Sequence, residues 1–326
     1  MTFANLPPLV TVFGGSGFVG RHVVRVLAQR GYRVRVAVRR PDLAGFVLPF
    51  GNVGQISLSQ ANLRYRDSVA KAVEGASVVV NCVGILLESG RNKFDAVQDF
   101  GARAVAEAAT AASARLVVHI SAIGADAKSA SSYAASKGRG EDAIRQVAPG
   151  AVILRPSIVF GPEDSFFNKF AAMARLSPVL PLIGGGKTKF QPVFVEDVAE
   201  AVAKAVDGKV AAGVFELGGP EVLTFRQCLE EMLRVIDRTN PLVSLPFGIA
   251  SLLASVASAI PLITPPLTND QLTLLKSDNV VSEAAKKEGR TLTALGITPT
   301  AVAAVLPSYL IHFRPHGQYS RSGKAA

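Results

Sequence analysis

The chain of 326 residues has no tryptophan, two cysteines and four histidines. Only two cysteines, Cys82 and Cys228, are present and they stand far apart in apolar surroundings, which argues against a disulfide scaffold and a Cys-rich zinc or iron–sulfur centre. A reducing compartment suits such a chain. Aromatics make up only 7% of it, and no block of Lys or Arg interleaves with them. Little is therefore available for stacking on bases, and nucleic acid is not an expected partner. Residues 1–8 carry no basic stretch ahead of an apolar run, so they do not read as a secretory signal, and the cytoplasm is the expected location.

What is present is apolar material. With 49% hydrophobic and 18% charged residues the composition is that of a folded chain, not a disordered, collagenous or coiled-coil one. Its length suits one large domain or a domain with an appendage. Lys and Arg number 35 against 25 Asp and Glu, a formal charge of +10. That surplus suits a phosphate-bearing ligand, an anionic lipid surface or an acidic partner protein without choosing among them.

Leu9 to Phe13 is a continuous apolar run of strand length. It ends in Gly14, Gly15, Ser16, Gly17, Phe18, Val19 and Gly20, after which Val23, Val24 and Leu27 recur at helical spacing. Strand, glycine turn and helix in that order make a pyrophosphate site: a tight turn, room for close backbone approach, and free N–H donors at the helix start. A second apolar strand over 34–38 follows and ends in Arg39, Arg40 and Pro41. An NAD-binding fold places a carboxylate there for the ribose hydroxyls, whereas a guanidinium pairs with a 2′-phosphate, so NADP(H), as NADPH or NADP+, is expected over NAD(H).

Strand-like runs at 53–58, 76–83 and 116–120 alternate with helical segments at 68–74 and 92–112. The pattern predicts an α/β fold with a doubly wound parallel sheet. Ligands of such sheets lie across the carboxyl ends of the strands, which puts Asn62, Leu63, Cys82, Val83, Gly84 and Ser121 on the expected cofactor edge. Cys82 reads as a small apolar lining residue, because no base stands near it in sequence. Ser121 closes the fifth strand, and Tyr133 and Lys137 follow at i and i+4 on a helix reaching about Val147. That spacing stacks an ammonium against a phenol and lowers the phenol pKa from its usual value of about 10. Hydride would then pass between a nicotinamide and a carbinol or carbonyl carbon held by Ser121, while Tyr133 moves the proton.

The glycine turn, Arg39, Ser121 and Tyr133-x-x-x-Lys137 resemble the short-chain dehydrogenase/reductase superfamily, in its extended, atypical branch. Residues 155–162 resemble the segment that passes the nicotinamide in that branch, with Pro156, Ser157 and Ile158 beside the cofactor, and residues 194–199 resemble its later strand-to-helix junction. Residues 153–168, with 38–41, are similar to the NADPH-binding Rossmann accessory subunits of respiratory complex I. The resemblance implies a subunit of the NADH:ubiquinone oxidoreductase, docked among other complex I subunits near the quinone site. It also implies a tightly held NADPH that serves structure and stands outside the electron path. Asn62 stands where the family commonly has an Asp against the adenine and Gln98 where it often has an Asn; an amide oxygen still accepts from the adenine amine. Tyr133 and Lys137 also reach the nicotinamide ribose in this fold, so they serve as anchors as readily as catalysts.

The expected division is a nucleotide-binding domain over 1–162, whose core sheet receives further elements from later in the chain, a smaller mixed lid-like or docking region over 163–311 and a flexible tail over 312–326. The Gly184 to Thr188 run lacks the spacing of a phosphate loop, since position 181 is Pro, and reads as a turn. Residues 241–269 hold no charged side chain, but Pro246, Pro261, Pro265 and Pro266 leave only 247–260 unbroken. A span needs about 20 helical residues, so this segment is read as an interfacial or partner-facing helix, or one buried in its own core. The interfacial case implies a membrane surface as partner and a peripheral place on the inner face of the cell membrane. His312 and His316 are interrupted by Pro315, and no metal is expected. Two other functions fit the same scaffold: a free NADP-dependent reductase or nucleotide-sugar epimerase using Ser121, Tyr133 and Lys137, and a redox sensor without turnover.

Overall fold

The computed structural model describes residues 6–259, 267–315 and 317. Leu9–Phe13 (β1) runs into Phe18–Gln29 (α1), followed by Arg33–Val38 (β2), Ile56–Gln60 (β3), Arg66–Val73 (α2), Val78–Asn81 (β4), Phe100–Ala111 (α3), Leu116–Ile120 (β5), Ser132–Val147 (α4) and Val152–Pro156 (β6). The chain then builds a second unit with Val159–Phe160 (β7), Phe167–Leu176 (α5), Leu180–Ile183 (β8), Lys189–Phe190 (β9) and Val193–Phe194 (β10). It returns to the first unit for Val195–Val206 (α6) and Gly213–Leu217 (β11). The second unit gains Leu223–Thr224 (β12), Phe225–Val235 (α7), Leu242–Leu245 (β13), Phe247–Ala259 (α8) and Asn269–Leu274 (α9); Glu283–Lys287 (α10) lies in the first and Val302–Leu310 (α11) in the second. The two units are Met1–Pro156, Val195–Leu217 and Ser282–Thr298, and Ser157–Phe194, Gly218–Val281 and Pro299–Ala326. The chain leaves the first unit at Pro156, ahead of residue 162, and returns to it for α6, β11 and α10.

The first unit is a seven-stranded parallel sheet in the order β11-β6-β5-β4-β1-β2-β3. Val10, Val12, Val34, Val36, Val78, Val80 and Val118 are wholly buried, as befits strands covered on both faces. One face carries α1 packed on α6, where Arg30 pairs with Glu200 and Asp207. The other buries Ala102, Val105, Ala106 and Ala109 of α3 and Ile144 of α4. Successive strands fall on opposite sides of β1, so the strand order reverses between β1 and β4, where doubly wound sheets open a ligand crevice.

Two boundaries depart from the sequence pattern for local reasons. The strand expected from residue 53 starts at Ile56, because Gly54 takes a left-handed φ of 76° and Asn52 to Gln55 close a turn. The helix expected over 92–112 begins as one wide turn over Asp95–Asp99 before α3. That turn holds Gln98 in the interior, its amide donating to the Ile85 carbonyl at 2.6 Å and its oxygen accepting from Ser136 at 3.3 Å. The amide offered to the adenine is thereby engaged within the fold.

The second unit is built on an aromatic cluster in which Phe166 packs on Phe167, Phe170, Phe190 and Phe225. The α7 helix starts at Thr224, whose hydroxyl accepts from the Gln227 amide in a reciprocal capping box. Gly184, Gly185 and Gly186 all have positive φ and form a turn into β9, not a helix-opening phosphate loop. On α8, Ala250 and Ala254 are buried while Ile249, Leu252 and Leu253 are exposed. The helix therefore serves the core on one side only. Residues 260–266 of the charge-free stretch lie outside the described residues, as does most of the expected tail. Within that tail Phe313 is buried and Arg314 donates to the Val235 carbonyl, so order extends beyond residue 312. No helix among the described residues is long and apolar enough to cross a membrane.

Candidate functional site

At the end of β1, Gly14 takes φ 73° and its carbonyl accepts from the Gly17 amide at 2.9 Å. Side chains are excluded here by contact. A Cβ on Gly20 would stand 2.1 Å from the Gly14 oxygen, and one on Gly15 would stand 3.0 Å from both Val24 and Val36. Gly17 caps α1 with no side chain, so Phe18 and Val19 open the helix with amides that no side-chain cap satisfies. Arg21 braces the turn by donating to the Ser16 and Gly17 carbonyls. Such a cradle fits a dinucleotide pyrophosphate, backbone against anion.

Because every strand pair of the seven-stranded sheet is parallel, the ends of β1 to β6 bring Gly14, Arg39, Asn62, Cys82, Val83, Gly84, Ser121 and Pro156 to one edge. Their side chains have different duties. Arg39 reaches Asn92 Oδ1 at 3.0 Å, whereas Arg40 is forked onto Asp42. Asn62 Oδ1 accepts from the Arg64 amide and Nε, and Leu63 is part of the core. Ser157 and Ile158 belong to the second unit, where the Ser157 hydroxyl meets Asn279 and Ile158 packs on that unit's core.

Ser131 caps α4 by accepting from the Ala134 amide, which sets Tyr133 in the first turn and Lys137 one turn later. Lys137 Nζ donates to the Ile120 carbonyl at 3.0 Å, and a Cβ on Gly84 would lie 3.3 Å from it. Burial lowers the Lys137 pKa from 10.5 to about 8, opposed by the Glu141 carboxylate. Desolvation pushes Cys82 up to about 12 against the opposing pull of Lys137, so the thiol stays protonated and is no nucleophile. His119, beside Asn81 on the neighbouring strand, is kept neutral by burial and then by Lys137. Tyr133 lies edge-on to Phe94.

Sequence reasoning missed Glu141. It follows Tyr133 and Lys137 at the next i+4 step, on the same helical face, and that periodicity was the available signal. Wholly buried, it accepts the Ser121 hydroxyl and a fork from Arg155, Nε at 2.8 Å and Nη2 at 2.6 Å.

A nicotinamide bound here would supply hydride chemistry. The profile of the NAD dependent epimerase/dehydratase family matches residues 10–218. The chain belongs to this family. Among its relatives is the mitochondrial NADH dehydrogenase (ubiquinone) 1 alpha subcomplex subunit 9 of Arabidopsis thaliana, 33% identical over 320 residues that cover 95% of this chain and 79% of that one. The resemblance read at residues 153–168 therefore extends over almost the whole chain. The ceramide reductase of Caulobacter vibrioides is 38% identical over 191 residues, 59% of this chain and 58% of its own. Among solved structures, the crystal structure of gox2253 superposes with a TM-score of 0.72 over 96% of this chain and 99% of its own, at 22% identity, which bears on the fold alone.

Proposed function

We propose that this chain is an NADPH-binding accessory subunit of respiratory complex I, in which the nucleotide stabilises the subunit and its neighbours and is not turned over. The observation that carries this reading is the reach of the match to the Arabidopsis subunit: it runs beyond the nucleotide-binding unit through nearly all of the chain. The glycine cradle, Arg39 and Lys137 hold the cofactor. On α8, within the charge-free stretch, Ile249, Leu252 and Leu253 are exposed, which supports contact with neighbouring subunits or a membrane surface; a peripheral place on the inner face of the cell membrane is part of this proposal.

A second reading is a free NADP-dependent reductase. It is favoured by the retention of Ser121, Tyr133 and Lys137 and by the partial match to the ceramide reductase. The Ser121 contact weighs against it. A hydroxyl that gives its proton to a carboxylate has none left for a substrate carbonyl.

Native purification in mild detergent, with partners identified by mass spectrometry and nucleotide released by denaturation, separates the two. Recovery with complex I subunits and near-stoichiometric NADPH is the expected result. Recovery alone, with exchangeable nucleotide and turnover of a carbonyl substrate, overturns it.

A further inference from the structure

Beyond the β3 strand, the side-chain oxygen of Asn62 turns back to its own chain. It accepts from the Arg64 backbone amide at 3.2 Å and from Arg64 Nε at 3.3 Å. This is an Asx turn with a consequence for the side chain: the guanidinium is held by its Nε and its outer nitrogens project beyond it. One of them, Nη1, donates to the Arg91 carbonyl at 3.2 Å. The next residue, Asn92, receives Nη1 of Arg39 at 3.0 Å. Two guanidinium groups from the ends of neighbouring strands therefore meet adjacent residues of one tight turn. That turn is closed by the Ser89 and Asn92 amides, each bonded to the other's carbonyl at 3.1 and 2.9 Å.

We infer that Arg64, aimed by Asn62, is a second determinant of the 2′-phosphate site and holds that group together with Arg39. The inference rests on the NADPH reading above. A 2′-phosphate carries close to two negative charges near neutral pH, and one guanidinium leaves a residual charge at the sheet edge that a second neutralises. Arg40 already faces a charged acceptor, with Nε and Nη2 on the Asp42 carboxylate, whereas the acceptors of Arg39 and Arg64 are uncharged. The oxygens now facing Arg39 and Arg64 are neutral amide and carbonyl groups. A phosphate is the stronger acceptor, and the turn at 89–92 yields to it at the cost of those two neutral contacts. Asn62 is thereby a positioning residue, and Arg64 touches the ligand. A carboxylate in place of Asn62 would pair fully with Arg64 and compete with the phosphate. The amide orients the cation without neutralising it.

The test is equilibrium binding of NADPH, NADH and 2′,5′-ADP to the full chain freed of nucleotide, as wild type, Arg64→Ala, Arg64→Lys, Asn62→Ala and Arg39→Ala. Arg64→Ala is expected to weaken NADPH and 2′,5′-ADP by about tenfold or more, as the loss of a charge-assisted contact does, and NADH by less than about twofold. Asn62→Ala gives a smaller loss confined to the same two ligands, and Arg64→Lys an intermediate one, because an ammonium lacks the Nε that Asn62 grips. If Arg64→Ala is not recovered folded, the other two variants read the same contact. Equal loss for NADPH and NADH, or no loss for either, overturns the role of Arg64. A wild type that prefers NADPH, and loses that preference in Arg39→Ala but keeps it in Arg64→Ala, also overturns this inference while leaving the NADPH reading intact. A wild type with no preference for NADPH removes both.

Discussion

Ser121 donates its hydroxyl to Glu141, a carboxylate with no exposed surface that Arg155 grips through two nitrogens. The serine is thus tied to a buried ion pair in place of an open substrate position. Ser121→Ala should leave NADPH content and complex assembly unchanged, with a stability loss near 1 kcal/mol, the worth of one hydrogen bond. Glu141→Leu should cost about 3 kcal/mol, because it removes both forked contacts of Arg155 and leaves it Glu216 at 3.9 Å, and Glu141→Leu with Arg155→Met should recover part of that loss. Urea unfolding of the four proteins checks both. Loss of NADPH from Ser121→Ala would place the hydroxyl on the cofactor.

Lys137 carries a pH signature. Its folded pKa, about 8, lies below the 10.5 of the free side chain, so between those values the unfolded chain binds more protons. Stability from this group therefore rises with pH through that window, and below pH 8 the full cost of burying the cation, about 3 kcal/mol, is present. The raised thiol pKa values of Cys82 and Cys228 act in the opposite sense above pH 9. The measurable quantity is the difference between wild type and Lys137→Met: the variant should gain relative stability at pH 7 and lose that gain by pH 10. A difference that does not change with pH would refute the buried ammonium.

Arg39 and Arg40 are neighbours in sequence with unlike fates. On the NADPH proposal, Arg39→Ala should weaken NADPH by at least about tenfold and spare NADH, since the contact then lost is with the 2′-phosphate. Arg40→Ala should change neither by more than about twofold, because its guanidinium is already paired with Asp42 on the surface. Fluorescence titration of the reduced nucleotides reads both.

Gly20→Ala places a methyl group 2.1 Å from the backbone oxygen of Gly14, which no side-chain movement relieves. The expected protein is folded in its second unit and has lost bound nucleotide, or fails to accumulate. Gly31→Ala is the control: a Cβ there meets nothing within 4 Å, although its φ of 84° imposes a backbone cost of about 1 kcal/mol. Nucleotide released per mole of purified protein distinguishes the two variants.

Much of the first unit was legible because its signals are local. The strand β1 is an apolar run that ends in glycines, and α1 follows that glycine turn, which has no alternative use. Asn62 and Gln98 were legible as amides at the right sheet edge, but not in their partners. Asn62 turns onto Arg64, and Gln98 is drawn inward by the wide turn at Asp95–Asp99. Neither contact leaves a periodic mark in the sequence.

The amino-acid sequence by itself determined the alternation of strand and helix, the glycine cradle, the basic end of β2 and the placement of Tyr133 and Lys137 one turn apart on α4, because each depends on residues a few positions apart. Tertiary structure alone decided which polar groups remain available. Ser121 and Arg155 meet Glu141 from different strands, and Arg39 and Arg64 converge on one turn from 53 and 27 residues away. The reason is physical. Burial makes an unpaired donor or charge costly, so each side chain takes the partner that packing brings to it, and packing is set by the whole chain.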